Sequence, residues 1–98
     1  MPQLFAVTRS FGPGWNPSLP LEQQQDWRVH ADFMNALKAE GFVLLGGPLL
    51  GTSEVLLIIR AGDEEAIRAR LAGDCWAVKD LLRITRIVLW NLRLGSLP

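Results

Sequence analysis

Five consecutive aliphatic residues, Val55-Leu56-Leu57-Ile58-Ile59, constrain this chain more tightly than any other segment. The run is rich in β-branched side chains and reads as a strand, and as a central one. Successive side chains on a strand point to opposite faces, and here both faces are apolar. Phe42-Val43-Leu44-Leu45 repeats the pattern. A sheet with one face in water alternates apolar and polar residues, so a sheet built on these strands needs cover on both sides.

The rest of the chain supplies cover for one side. Leu4-Phe5-Ala6-Val7 reads as a first strand, ended by Ser10 and the turn-rich Phe11-Gly12-Pro13-Gly14-Trp15-Asn16-Pro17. Ser18 is the expected N-cap of a helix with Pro20 in its first turn and Glu22 and Asp26 near its positive end. That helix is expected to run to about Glu40 and stop at Gly41. Phe42 to Leu45 follows as a strand broken by Gly46-Gly47-Pro48. After the turn Leu50-Gly51-Thr52-Ser53 and the strand Val55 to Ile59, Asp63 caps a second helix through about Ala72, ended by Gly73. Trp76 to Leu82 can add a helical turn, and Ile84 to Leu94 is the last strand. The order βαββαβ predicts a ferredoxin-like α+β sandwich, a four-stranded antiparallel sheet with two helices on one face. Two helices leave the other face bare, an apolar patch too large for a soluble monomer. A partner sheet is therefore expected, most simply through a symmetric homodimer.

Ninety-eight residues fit one domain, 1–98, with a limited core. Ten basic and ten acidic residues are spread along the chain without a basic stripe, so the usual electrostatic footprint of nucleic-acid binding is missing. The single cysteine, Cys75, excludes an internal disulfide and points to a reducing, intracellular setting. The first residues lack the pattern of a signal peptide, and the apolar runs fall far short of the roughly 20 residues of a membrane span. A cytoplasmic protein with no membrane and no nucleic-acid partner is expected.

His30 is the one histidine. At roughly 100° per residue, Trp27, Phe33, Met34 and Leu37 all fall within about 60° of it on the predicted helix, so the imidazole points where side chains meet the core. Such a ring is either a structural group satisfying a buried hydrogen bond or a general base. A base needs an acid that fixes its tautomer and raises its basicity. Asp26, four residues earlier on the same helix face, is one choice; Asp74, after the second helix, is another. Cys75 is a small buried thiol or, with its pKa lowered by a histidine, a nucleophile. Gly46-Gly47-Pro48 lets a ligand or a strand edge approach the backbone closely, but it lacks the later glycines and the lysine of a phosphate loop. Phe11 and Trp15 can lid a pocket or serve as dimer contacts. One histidine and one cysteine leave a zinc set incomplete, nothing beyond the lone histidine favours haem, and no cofactor or metal is expected.

His30-Ala31, Gly41 eleven positions later, Gly46-Gly47-Pro48, the strand Val55 to Ile59, Asp63-Glu64-Glu65-Ala66 and Asp74-x-Trp76 follow in the order and spacing of the YCII-related (YciI-like) proteins. The resemblance runs from about Leu4 to Leu94. More widely, the chain is similar to the dimeric α/β-barrel superfamily, which includes muconolactone isomerases and small oxygenases. This likeness implies a ferredoxin-like fold paired through its sheets into a dimeric barrel, with a His and an Asp as an active-site pair. By position these are His30 and Asp74. Where the family pattern reads Asp-Pro-aromatic, Cys75 replaces the proline, which frees a backbone N–H and relaxes φ.

The expectation is a small cofactor-independent enzyme. His30, oriented by Asp74, moves a proton on a small cyclic or carbonyl substrate, as in isomerisation, lactone chemistry or HCl elimination, in a pocket shaped by Trp15, Gly46, Gly47, Pro48 and Trp76. The rival is a non-catalytic dimer that binds a small ligand or serves a pathway as an accessory. The separation of His30 from Asp74, and solvent access to them, discriminates between the two.

Overall fold

The computed structural model describes residues 2–97. Four strands, β1 (Gln3–Phe11), β2 (Val43–Leu49), β3 (Glu54–Ala61) and β4 (Leu82–Leu89), form one antiparallel sheet in the order β2-β3-β1-β4. Helix α1 (Trp27–Ala39) joins β1 to β2, and α2 (Glu64–Leu71) with a short α3 (Cys75–Val78) joins β3 to β4. This is the ferredoxin-like α+β arrangement, with three helices where the sequence pattern predicts two and an optional turn. No helix among the described residues is long and apolar enough to cross a membrane.

The first strand runs on through Ser10 to Phe11, and the bounds of three later elements also differ from the sequence expectation, two of them for a physical reason. The first helix starts at Trp27, not after Ser18. The buried Gln24 side chain ties the preceding loop together, accepting from Asn16 N and donating to the carbonyls of Asn16 and Leu19. Asp26 then sits at φ 58°, in the left-handed region, which a continuous helix cannot pass through. Pro20 precedes only a 3₁₀ turn, Leu21–Gln23. The strand after α1 is not broken at Gly46-Gly47-Pro48 but runs through it to Leu49, because β2 lies at the sheet edge. There the missing N–H of Pro48 withdraws no needed ladder bond. The last strand ends at Leu89 and begins at Leu82, two residues before the expected start. By contrast α2 follows its signals: the Asp63 side chain accepts from Ala66 N at 2.8 Å.

On the helix-covered face, β1 presents Phe5, Val7 and Arg9, and β3 presents Val55, Leu57, Ile59 and Ala61, all buried. They pack with Leu37 of α1, Ile67 and Leu71 of α2 and Trp76 of α3. The open face carries Leu4, Ala6, Leu45, Leu56 and Ile58 across β1, β2 and β3. At β4 it is mixed, with Val88 opposite Ala6 but Arg86 and Arg83 opposite Thr8 and Ser10. The apolar part of the open face therefore reaches all four strands, at one end of β4 only.

Gly46 allows the close contact that keeps β2 against β3. A Cβ there would sit 2.7 Å from the buried Leu57 Cδ2, whereas one at Gly47 meets nothing within 4 Å. Gly46→Ala is expected to lower stability by about 1–2 kcal/mol through overpacking, and Gly47→Ala to stay within about 0.5 kcal/mol of wild type. Urea unfolding of the two variants checks the contrast.

Candidate active site

Asp74 is placed by the turn that ends α2 and starts α3. As N-cap of α3, its Oδ1 accepts from Trp76 N at 3.1 Å. The carboxylate is fully buried, so its charge must be met by protein groups. Arg9, reaching in from β1, donates Nη1–H to Oδ2 at 2.9 Å. His30, from the second turn of α1, brings Nδ1 to 2.9 Å from both oxygens. The ionised Asp74 carboxylate can only accept, so the proton lies on His30 Nδ1. The neutral ring therefore keeps its lone pair on Nε2.

Aromatic packing holds that ring in plane. The His30 imidazole stacks on the Trp76 indole with centroids 3.8 Å apart and planes 6° from parallel. Trp76 is fixed in turn by its Nε1–H on the carbonyl of Gln25 and by the edge of Trp15 at 5.5 Å. Trp15 stacks on Phe11 at 3.9 Å. Their loop is anchored by Gly12 and Gly14 N–H groups on the carbonyls of Leu81 and Asp80.

Opposing effects set the charge states. Burial pushes the Asp74 carboxyl up, but the hydrogen bonds and charges of His30 and then Arg9 outweigh it and hold it below the ordinary carboxylate range. Burial lowers the Arg9 pKa, partly offset by Asp74. Burial, then the charges of Asp74 and Asp26, push the Cys75 thiol up, away from the thiolate that nucleophilic chemistry needs.

Beside His30 lies a cavity of about 270 Å³ between α1 and the β2–β3 side of the sheet. His30, Trp76, Gly46, Gly47 and Pro48 all line it. Trp15 does not; it stands behind Trp76 as a second aromatic layer. Asp74 is sealed behind His30 and Arg9, while His30 keeps 8% exposure and Nε2 has no protein partner among the described residues. Asp26 is not the acid facing His30: its carboxylate pairs with Lys79, and only its backbone carbonyl meets His30 N, at 3.0 Å. Among the described residues no group of three or more His, Cys, Asp or Glu is placed to hold a metal.

Arg9 is the site residue that motif reasoning passes over. Its signal is present: Phe5, Val7 and Arg9 alternate on one strand face, so an arginine stands in register with two core residues. Met34 and Lys38 also line the cavity, one and two turns along α1 from His30. An imidazole held at Nδ1 by a buried carboxylate, with Nε2 open to a cavity, can take up and return a proton there.

Fold and site together place the chain in the class of small ferredoxin-like α+β proteins with a histidine-lined cavity beside the sheet. No family model and no curated protein matches the sequence. Among solved structures it is similar to the 5-chloro-2-hydroxyhydroquinone dehydrochlorinase of Burkholderia phenoliruptrix in complex with 2,5-dihydroxybenzoquinone, with a TM-score of 0.64 and 22% identity over 94% of this chain and 95% of that one. At that identity the likeness is one of fold.

Removing the Asp74 carboxylate strands the Arg9 charge in the core. Asp74→Ala is expected to lower stability by about 3–5 kcal/mol at neutral pH, read by urea unfolding. Because the folded value lies below the ordinary 3.8, the Asp74 contribution is whole above that value and is lost as pH falls through the lowered one. Wild type and variant should therefore converge in stability only below about pH 4.

Proposed function

We propose that the protein is a cofactor-independent acid–base enzyme of the YCII-like kind, with His30 as the base and Asp74 as the acid that orients it. The observation that carries this reading is the His30 Nδ1–Asp74 hydrogen bond at 2.9 Å with Nε2 left free at the cavity. Nε2 takes a proton from an acidic hydroxyl, or from a C–H beside a carbonyl. The imidazolium, steadied by Asp74, then returns it to another ring atom, completing an isomerisation. When chloride departs from the substrate, the proton leaves with it as HCl. The stacked His30 and Trp76 rings and the bare backbone of Gly46-Gly47-Pro48 line a cavity that suits a planar ring. The fold-level likeness to a dehydrochlorinase solved with a dihydroxybenzoquinone supports small oxygenated rings as the substrates to try first.

Chloride release from chlorinated hydroxyhydroquinones and isomerisation of small lactones test this. His30→Ala is expected to lose about 100-fold or more in kcat, as the removal of a general base does, with Asp74→Asn reduced in the same direction. Equal turnover by wild type and His30→Ala refutes the assignment. The stacking of His30 on Trp76 and its satisfied Nδ1 are also what a structural histidine would have, and that outcome would favour a ligand-binding module.

The same reading includes a homodimer formed through the open face of the sheet, where Leu45 and Leu49 are exposed beside Leu56 and Ile58. Sedimentation at micromolar concentration is expected to give a dimer for wild type and a folded monomer for Leu45→Glu. A monomeric wild type overturns this part of the proposal.

A further inference from the structure

We propose that the cavity takes its ring-shaped ligand as an anion, with a negative oxygen on the Arg9 guanidinium and Lys38 attracting it from the rim. The inference rests on the reading of this cavity as the functional site, and it adds the charge of what binds there.

The charges that face the cavity are of one sign. Arg9 and Lys38 line it, and no aspartate or glutamate does. The balancing carboxylate of Asp74 lies out of reach, its oxygens occupied by Arg9, His30 and Trp76 N. Lys38 forms no ion pair among the described residues.

Arg9 is also under-satisfied. A guanidinium has five N–H donors. Here Nη1 meets Asp74, Nη2 meets only the thioether of Met34 at 3.6 Å, and Nε is the one buried side-chain polar atom without a partner among the described residues. A thioether is a weak acceptor, so a side chain only 1% exposed holds donors that an anionic oxygen would fill far better. Met34 is unbranched and only partly buried, and it can move aside to admit that oxygen.

Size narrows the ligand further. A dry cavity of about 150 Å³ admits benzene, so one of about 270 Å³ holds a single six-membered ring with a few substituents. The ligand class is then a phenolate, an ionised hydroxyquinone or an aromatic carboxylate. With one ionised oxygen on Arg9, a second hydroxyl or an acidic C–H remains for His30.

Calorimetric titration at pH 7 with matched probes tests this: benzoate against benzamide, and 2,5-dihydroxybenzoquinone against its neutral dimethyl ether. Each anion is expected to bind wild type about tenfold or more tightly than its neutral partner. Lys38→Met, a rim substitution, should weaken the anions by about two- to fivefold, less so at high salt, and leave the neutral probes unchanged. Arg9→Lys, checked for a retained thermal transition, should erase most of the preference, since a lysine keeps the charge but not the fork. If neither anion outbinds its partner, or if Lys38→Met weakens both members of a pair equally, the proposal is wrong. These readouts need no turnover: an anion preference without catalysis keeps this inference and removes the enzyme, and turnover of neutral lactones without an anion preference does the reverse.

Discussion

The Asp74 carboxylate is the constraint on which the rest of the site depends. It is buried completely, and it receives donors from β1, α1 and the first turn of α3. An ionised carboxylate without partners in such a place would cost several kcal/mol, so these three elements cannot slide apart without stranding it. Compared with an apolar replacement, a buried ion pair adds little net stability. What it contributes here is geometry, since one group sets the N-cap of α3, the tautomer of His30 and the position of Arg9.

A layer of aromatic rings extends that order to the loop after β1. Phe11, Trp15, Trp76 and His30 lie in successive contact, from the loop to the cavity. Ring contacts of this kind add about 0.5–1.5 kcal/mol each beyond area burial, enough together to fix a loop rich in glycine and proline. The cavity is thereby given one stiff wall of stacked rings and one of bare strand backbone. Met34, unbranched and adaptable, is the soft part.

Much of the fold was legible because local rules and tertiary packing agree. The aliphatic run of β3, the Asp63 cap of α2 and the Gly41 stop of α1, where φ is 81°, follow from signals within a few residues. Boundaries were lost where a distant or unusual interaction overrides the local signal. Ser18 has the chemistry of an N-cap, but the buried Gln24 and the left-handed Asp26 hold the chain out of a helix until Trp27. Gly46-Gly47-Pro48 has the chemistry of a break, yet an edge strand tolerates all three. Trp15 was expected at the cavity and stands one layer behind it, a displacement no local pattern encodes.

The sequence by itself determined the order of elements, the inward aim of His30 and the apolar character of both faces of β3, because periodicity is carried by neighbouring residues. It left two acids open for His30. Only the tertiary structure decided between them, because the αL turn at Asp26 sends its carboxylate to Lys79, while Asp74 comes within 2.9 Å of His30 across 44 residues of chain. The burial of Arg9 beside them was decided the same way: whether an arginine in register with core residues reaches solvent or a carboxylate depends on what the fold places opposite it.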